Sequence, residues 1–218
     1  MYIKNSNLSP YKIGQLVTEW IYNTPATVCA KRIGISRVTA NWWYNRIRQV
    51  IADLPEPPPF DGCVEIDETY LGRKRPNIIG TGTADKIAVF GIRHRDSGKV
   101  WATVVKGTNH TFLIPLIQQR VAPGTMIFSD GFGAYYHLNK LGYRHHVVNH
   151  HFGYVASKIV HTNGIESFWG YMKKLFKSRN GIRRDRYQIH VKEALYRFNN
   201  RKDPNFRQHL IKLIIKSL

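Results

Sequence analysis

The sequence predicts a mixed α/β sheet with helices over its faces, preceded by a separate helical unit. Apolar residues repeat at helical spacing as far as about residue 51, and a run of prolines then interrupts the chain. After the prolines, extended segments rich in β-branched and aromatic residues alternate with helical ones. With 218 residues and a hydrophobic content of 43%, the chain has enough apolar material to bury a core.

Capping signals divide residues 1–52 into three short helices. The predicted helices run from Pro10 to Ile21, from Pro25 to Arg32 and from Ser36 to about Ile51. Gly34 supplies the left-handed residue that a tight turn needs, so the last two helices predict a helix-turn-helix. The second of them would read DNA, and plain helix packing is the alternative. The DNA-contacting candidates on its outer surface are Arg37, Thr39, Asn41 and Trp42.

A proline-rich linker is predicted over residues 53–60. The segment DLPEPPP cannot continue a helix, because each proline lacks an amide donor and biases the preceding residue toward extended geometry. We therefore expect a helix-turn-helix domain over residues 1–52 and a catalytic domain over residues 61–218 that ends in a basic helical region. The linker itself is expected to be a stiff spacer.

The second domain begins with three successive strands, which favours antiparallel pairing. Helices and strands alternate after them. Strands are predicted over residues 63–72, 86–96, 99–105, 125–130 and 143–149, and helices over residues 110–121, 134–141 and 163–177.

The charge is strongly positive and unevenly spread. Lys and Arg number 33 against 14 Asp and Glu, a net charge of +19. Residues 1–50 hold 7 basic and 1 acidic side chain, residues 51–157 hold 11 and 9, and residues 158–218 hold 15 and 4, so the net charges are +6, +2 and +11. Basic segments on both sides of a nearly neutral middle indicate a nucleic-acid partner, although a basic surface can also serve solubility alone.

Other features exclude whole classes of protein. Two cysteines, Cys29 and Cys63, are too few for a disulfide framework or a cysteine-ligated zinc ribbon. The first residues lack the apolar core of a signal peptide, and no stretch reaches the roughly 18 to 20 apolar residues of a bilayer span. We expect a reducing, intracellular setting.

Three acids stand where a metal site could form. Asp67 lies within the first predicted strand, Asp130 ends a buried strand, and Glu166 lies in the first turns of the late helix. Such carboxylates can converge at one edge of a mixed sheet, where like charges repel unless cations lie between them. Two Mg²⁺ ions held there could cut a phosphodiester. The plainer interpretation is that these acids only cap strand ends and a helix N-terminus.

The three acids and their surroundings resemble a known family. The segments CVEIDETYLGRKR, IFSDGFGAY and HTNGIESFWGYMKK together resemble bacterial insertion-sequence DDE transposases of the Merlin-type group. The resemblance runs over most of the chain, as far as RFNNR at residues 197–201. It implies a ribonuclease-H-like mixed sheet flanked by helices, in which Asp67, Asp130 and Glu166 hold two Mg²⁺ ions, with Mn²⁺ as a substitute. Many relatives carry a cysteine-rich zinc ribbon that this chain lacks, which shifts end recognition onto the helix-turn-helix and the basic C-terminal region.

The resemblance also implies an activity and its partners. The protein would bind the terminal inverted repeats of its element, cut them by metal-assisted hydrolysis and join the freed 3′-hydroxyls to target DNA. It would act on double-stranded DNA as a homodimer or larger assembly, in the bacterial cytoplasm at the nucleoid. A non-catalytic DNA-binding repressor and a structure-specific nuclease are the competing functions. The implied DNA contact near the active site is Lys173, and the basic surface around it includes Lys174, Lys177, Arg183 and Arg184.

Several neighbouring residues have two interpretations. His161 is predicted to contact phosphate, with structural zinc at the histidine cluster (His145, His146, His150, His151 and His161) as the alternative. Trp169 is the aromatic residue proposed to stack on a splayed base, with packing in the core as the alternative. Glu65 shares a strand face with Asp67, and Glu68 points to the other face. Either could support the metal ligands from behind, and the favoured interpretation of both is an exposed strand acid. Asn163 could replace Glu166 as the third ligand, but a carboxylate binds Mg²⁺ better than an amide does.

Overall fold

The computed structural model describes residues 8–72, 86–148, 162–179 and 181–217. The chain divides into two compact units. Residues 1–55 and 200–218 form the helical unit, and residues 56–199 form the sheet unit. The helices are α1 (Pro10–Ile21), α2 (Ala26–Ile33), α3 (Arg37–Ala52), α4 (His110–Arg120), α5 (Asn163–Lys177), α6 (Tyr187–Asn199) and α7 (Phe206–Lys216). The strands are β1 (Cys63–Leu71), β2 (Ile87–His94), β3 (Val100–Val105), β4 (Met126–Ser129) and β5 (Arg144–Val147).

The helical unit begins as its capping signals predict. The side chain of Ser9 accepts a hydrogen bond from the backbone N–H of Lys12, and Ser36 accepts one from Thr39 in the same way. Gly34 ends α2 in the left-handed region with a φ of 68°, a conformation that glycine adopts without strain. The three predicted helices are therefore present, with bounds within one or two residues of those expected.

Helix α7 belongs to the helical unit, whereas we expected residues 200–218 to be part of the catalytic domain. It packs against α1 and α3. Leu210 and Ile214, one turn apart, are fully buried, and the Arg207 guanidinium donates to Thr18 Oγ1 at 2.7 Å. The burial of this short apolar stripe determines that α7 packs in the helical unit. The position of α7 in the sequence, after the catalytic segment, does not indicate this.

The sheet unit contains one five-stranded sheet in the order β3-β2-β1-β4-β5. β2 pairs antiparallel with both β1 and β3, while β4 pairs parallel with both β1 and β5. Residues of α5 and α6 cover one face in a cluster that includes Val89, Phe168 and Val191. Residues of α4 and of the segment around Tyr135 cover the other face, beside Ile66. The predicted fold class, a mixed sheet flanked by helices, is confirmed.

The prediction of an α-helix over residues 134–141 of the sheet unit is wrong. Residues 134–141 form two single turns of 3₁₀ helix, Gly133–Tyr135 and Asn139–Leu141, in place of a continuous α-helix. Gly142 closes the second turn in the left-handed region with a φ of 85°. The segment is short, and its side chains Tyr135 and Leu138 are fully buried, so packing against α4 determines its shape more than helical propensity does.

The proline-rich segment is divided between the units, with the boundary between Pro55 and Glu56. Its second half packs on the sheet unit. The backbone N–H of Phe60 donates to the carbonyl oxygen of Arg120 at 2.8 Å, and the indole N–H of Trp101 donates to Glu56 at 2.6 Å. Residues 56–60 are therefore attached to this unit and are not a free spacer. Within the described ranges, the helices are all too short or too polar to cross a membrane.

Candidate active site

The first acid of the trio lies in the centre of the sheet. Asp67 is in the middle of β1, the central strand. Its carboxylate faces α5, where the indole N–H of Trp169 donates to Asp67 Oδ2 at 2.8 Å. Trp169 is only 4% exposed, so this hydrogen bond is shielded from water and holds the carboxylate in one orientation. The expectation that Trp169 stacks on a DNA base is wrong, because a ring this deeply buried offers no face to a nucleotide.

A glycine makes the contact between Trp169 and Asp67 possible. Gly91 on β2 pairs with Asp67 across the two strands. The Trp169 ring lies directly against it, since a Cβ placed on Gly91 would come within 2.5 Å of Cη2 and 2.8 Å of Cζ2. Any side chain at this position would push the indole away from the carboxylate.

We expect Gly91→Ala to destabilise the sheet unit. The added methyl group forces the indole or the strand to move, which costs about 1–3 kcal/mol in a close-packed core. Gly170→Ala on α5 is the matched control: nothing lies within 4 Å of its Cβ, and alanine should be neutral or stabilise the helix by up to about 1 kcal/mol. Urea unfolding measures both variants, and equal losses of stability would contradict the packing argument.

The second acid, Asp130, follows β4 directly. Glu65 pairs with Phe128 in the parallel register of β1 and β4, and two further residues along both strands bring Asp130 level with Asp67. Neighbouring strands lie about 4.8 Å apart, so the two aspartates are neighbours on adjacent strands of the sheet. The backbone N–H of Phe132 donates to Asp130 Oδ1 at 3.1 Å and orients that carboxylate.

The third acid, Glu166, comes from the first turn of α5. The hydroxyl of Thr162 donates to Glu166 Oε1 at 3.3 Å. A negative charge in this turn is favoured by the helix dipole. Unlike the two aspartates, Glu166 is exposed, and its carboxylate has room to rotate.

The pKa of Asp67 responds to its burial and to the charges of the other two acids. Burial raises the pKa of Asp67 to about 6, and the hydrogen bond from Trp169 opposes that rise. The negative charges of Asp130 and Glu166 raise the pKa of Asp67 further. Burial likewise raises the pKa of Glu68 to about 7, with contributions from Asp67 and Asp130. This part of the sheet therefore concentrates negative charge, which a bound cation would neutralise.

The donor set suits a hard divalent cation. Carboxylate oxygens are the ligands that Mg²⁺ prefers, and a few carboxylates leave positions for water and substrate. In the part of the chain that the structure describes, no three His, Cys, Asp or Glu side chains are already arranged as a metal-binding group. Trp169 engages Asp67 and Thr162 engages Glu166, so holding an ion requires side-chain rotation, most easily that of Glu166.

Glu65 supports the site by holding the start of α5. We expected an exposed acid, and its side chain is fully buried. The guanidinium groups of Arg93 and Arg95 donate to Glu65 Oε1 at 3.2 and 3.0 Å. The backbone N–H of Ile165 donates to Glu65 Oε2 at 2.8 Å. Because the first N–H groups of a helix lack intrahelical partners, Glu65 caps α5 from the sheet and ties down the turn that carries Glu166.

The burial of Glu65 follows from the position of β1. A central strand covered by helices on both faces buries both sets of its side chains, so no face of β1 is left for a solvated acid. Val64 and Ile66 on either side of Glu65 are the sequence signal that could have indicated this. The helix turn also has to approach closely, and a Cβ on Gly164 would collide with the Arg93 guanidinium.

Glu68 points to the opposite face from Asp67, as strand alternation predicts. It is half-buried, so the expectation of an exposed acid is wrong here too. The hydroxyl of the fully buried Tyr135 donates to Glu68 Oε2 at 2.5 Å. Glu68 therefore forms a second carboxylate layer behind Asp67, on the α4 side of the sheet.

The residues expected to contact DNA differ in exposure. Thr39 is half-buried, and its hydroxyl is hydrogen-bonded to Ser36 at the start of α3. Arg183 donates to the carboxylate of Asp185 at 2.6 Å. His161 lies outside the described residues. The residues of this set whose side chains are exposed are Arg37, Asn41, Trp42, Lys173, Lys174, Lys177, Arg183 and Arg184.

Residues 59–199 match the family model described as the ISXO2-like transposase domain. A transposase-like protein of Haemophilus influenzae is 33% identical over 104 residues, which cover 47% of this chain and 82% of that protein. A protein in the transposable element ISH50 of Halobacterium salinarum is 27% identical over 160 residues. That match covers 66% of this chain and 54% of the relative, so the chain spans about half the length of the ISH50 protein.

Solved structures with a similar arrangement include retroviral integrases. The catalytic core domain of HTLV-2 integrase in complex with magnesium aligns with a TM-score of 0.40 and 13% identity, over 64% of this chain and 84% of that chain. The simian T-cell lymphotropic virus intasome in complex with the PP2A regulatory subunit B56 gamma aligns with a TM-score of 0.42 and 16% identity, over 87% of this chain and 68% of that chain.

Proposed function

Because this chain belongs to the ISXO2-like transposase domain family, we propose that it is a DNA transposase that cuts the ends of its element and joins them to target DNA. It binds the terminal inverted repeats, hydrolyses a phosphodiester at each end, and transfers the released 3′-hydroxyls. The observations that support the proposal are that Asp67 and Asp130 are level on neighbouring strands and that the charges of Asp130 and Glu166 both raise the pKa of Asp67.

Both chemical steps are displacements at phosphorus. In the first, a water oxygen bonds to phosphorus and the bond to the 3′-oxygen breaks, which leaves a 3′-hydroxyl and a 5′-phosphate. In the second, that 3′-hydroxyl attacks a target phosphodiester and displaces its 3′-oxygen. Neither step needs a covalent bond to the protein, so the task of the protein is alignment and charge stabilisation.

The three carboxylates are the proposed ligands of two Mg²⁺ ions, for which Mn²⁺ substitutes. When bound, such a pair activates the attacking oxygen and stabilises the leaving oxygen of an in-line displacement. The residues around the carboxylates orient them before DNA arrives. Trp169 fixes Asp67, the backbone of Phe132 fixes Asp130, and Glu65 holds the turn of α5 that carries Glu166.

Exposed basic residues in both units supply the proposed DNA contacts. In the sheet unit, Lys173 lies seven residues after Glu166, two turns along the same side of α5. In the helical unit, α3 exposes Arg37, Asn41 and Trp42 for reading the repeat. Two ends have to be cut and joined together, so we propose a homodimer or larger assembly on DNA.

Removal of divalent metal should stop cleavage and leave most of the DNA binding intact. The proposed chemistry requires the ions, whereas the binding rests on Lys and Arg contacts with phosphate. Labelled element-end DNA, incubated with Mg²⁺ or with EDTA, measures cleavage on a gel and binding by mobility shift. Cleavage that persists in EDTA would contradict the metal assignment.

The same assay, with a target plasmid added, separates the competing functions. A transposase cuts the labelled ends and joins them to the plasmid. Binding without cleavage in Mg²⁺ would favour the repressor, and cleavage without joined products would favour the structure-specific nuclease. Duplex DNA of unrelated sequence is the control for recognition of the inverted repeat.

A further inference from the structure

A basic pocket of about 550 Å³ lies at the end of the sheet unit where β1 and β3 finish and β2 begins. Three cations line it: Lys86 before β2, Lys106 after β3, and Arg184 in the short helix that precedes α6. Among the described residues that form its walls, none is acidic. The hydroxyls of Tyr70 and Thr108, 3.0 Å apart, add polar groups to the rim.

The residues that line this pocket suit a ligand that combines a negative charge with apolar atoms. Three positive side chains around a concave, low-dielectric wall reinforce one another's field and attract negative charge more strongly than the same charges spread over a flat surface. Apolar residues, among them Ile87 and Val104, also line the pocket. A phosphodiester with its attached sugar combines an anion with carbon atoms and meets both requirements.

The pocket lies beyond the carboxylates, at the end of the sheet toward which β1 runs. Ile87 of the pocket pairs with Leu71, which is four residues after Asp67 on the same face of β1, or about 13 Å along the strand. Asp130 directly follows β4, which runs parallel to β1. One strand of duplex DNA carries a phosphate every 3.4 Å or so of helix axis, so DNA held at Asp67 reaches the pocket about four nucleotides away.

We infer that this pocket binds backbone phosphates of the DNA strand that passes through the active site. The inference rests on the proposed function and deepens it, because it names a contact that neither α3 nor the lysines of α5 supply. Lys86 and Lys106 are distant from Arg184 in the sequence, and only the fold places the three cations around one pocket. The contact is with phosphate, so it is independent of base sequence.

The test is the salt dependence of DNA binding by the full chain, measured in EDTA so that no strand is cut. Fluorescence anisotropy of a labelled duplex gives Kd between 50 and 200 mM NaCl for the wild type and for the double variant Lys86→Gln/Lys106→Gln. We expect the slope of log Kd against log salt to fall by about 2, equally on element-end and unrelated duplexes. Lys106→Gln alone should lower it by about 1, whereas Lys140→Gln, which removes an exposed lysine elsewhere in the sheet unit, should leave it unchanged.

Three outcomes would overturn the inference. An unchanged slope in the double variant would do so, and so would equal effects of Lys106→Gln and Lys140→Gln. The third outcome comes from calorimetry with sodium phosphate. If the wild type binds phosphate and the double variant does not, while the salt dependence of its Kd for DNA is unchanged, the pocket is a site for free phosphate. Thermal unfolding confirms that each variant is folded. Failure of the wild type to cut DNA would instead contradict the proposed function, since this test does not depend on cleavage.

Discussion

Asp130→Asn should lower the rate of DNA cleavage by at least about 10³-fold and change Kd for duplex DNA by less than about twofold. The amide keeps the shape of the side chain and an oxygen for the N–H of Phe132, so the local turn is preserved. It removes one negative charge from the proposed metal ligands. Loss of an ion that contributes several kcal/mol to transition-state stabilisation corresponds to a loss of this size, at about 1.4 kcal/mol for each factor of ten.

The matched control is Asp96→Asn, which removes the same charge from an aspartate just after the C-terminal end of β2. Its side chain is exposed, in the turn between β2 and β3. Cleavage by this variant should stay within about twofold of the wild type. Rates are measured on labelled element-end DNA in Mg²⁺ at saturating protein. A comparable loss in both variants, or full activity in Asp130→Asn, would show that the carboxylate at this position does not support the reaction.

Glu65→Ala should destabilise the sheet unit by about 3–5 kcal/mol. Removing one partner of a buried ion pair leaves the remaining charge uncompensated, and here two guanidinium groups and the N–H of Ile165 lose their acceptor together. Urea unfolding, followed by circular dichroism, measures the loss. Glu65→Gln keeps an oxygen for the helix N–H but not the charge, so its loss of stability should be smaller.

The control for this prediction is Asp185→Ala. Asp185 forms an ion pair with Arg183, but both side chains are largely exposed, and surface pairs of this kind add little to stability. We expect no measurable change in its urea midpoint. A loss below about 1 kcal/mol for Glu65→Ala would mean that Glu65 does not hold the start of α5.

Much of the fold could be predicted from the sequence because the signals are local. The caps at Ser9 and Ser36 each join residues three apart, and α5 has the bounds that its helical pattern indicates. The exception at residues 134–141 shows the limit. Packing of Tyr135 and Leu138 against the sheet unit overrides the helical pattern there.

The roles of single residues around the site could not be predicted in the same way. Asp67 and Asp130 are recognisable as acids in or after a strand, but the partner that orients Asp67 is 102 residues away, and Ile165 is 100 residues from Glu65. Periodicity carries no information on such pairs. The sequence therefore favours a DNA contact for Trp169 and a surface acid for Glu65 over the alternatives, and the burial of both side chains contradicts these two interpretations.

The sequence by itself determined most of the helices and strands, the basic character of the two ends of the chain, and the three acids of the proposed metal site. Each of these depends on residue type or on spacing within a few residues. The tertiary structure decided what is buried: Glu65 as a cap for α5, the indole of Trp169 against Gly91, α7 within the helical unit, and Lys86 and Lys106 beside Arg184 at one pocket. The reason is that burial and long-range contacts depend on which faces of the sheet and helices are covered, and that is settled only when the elements pack together.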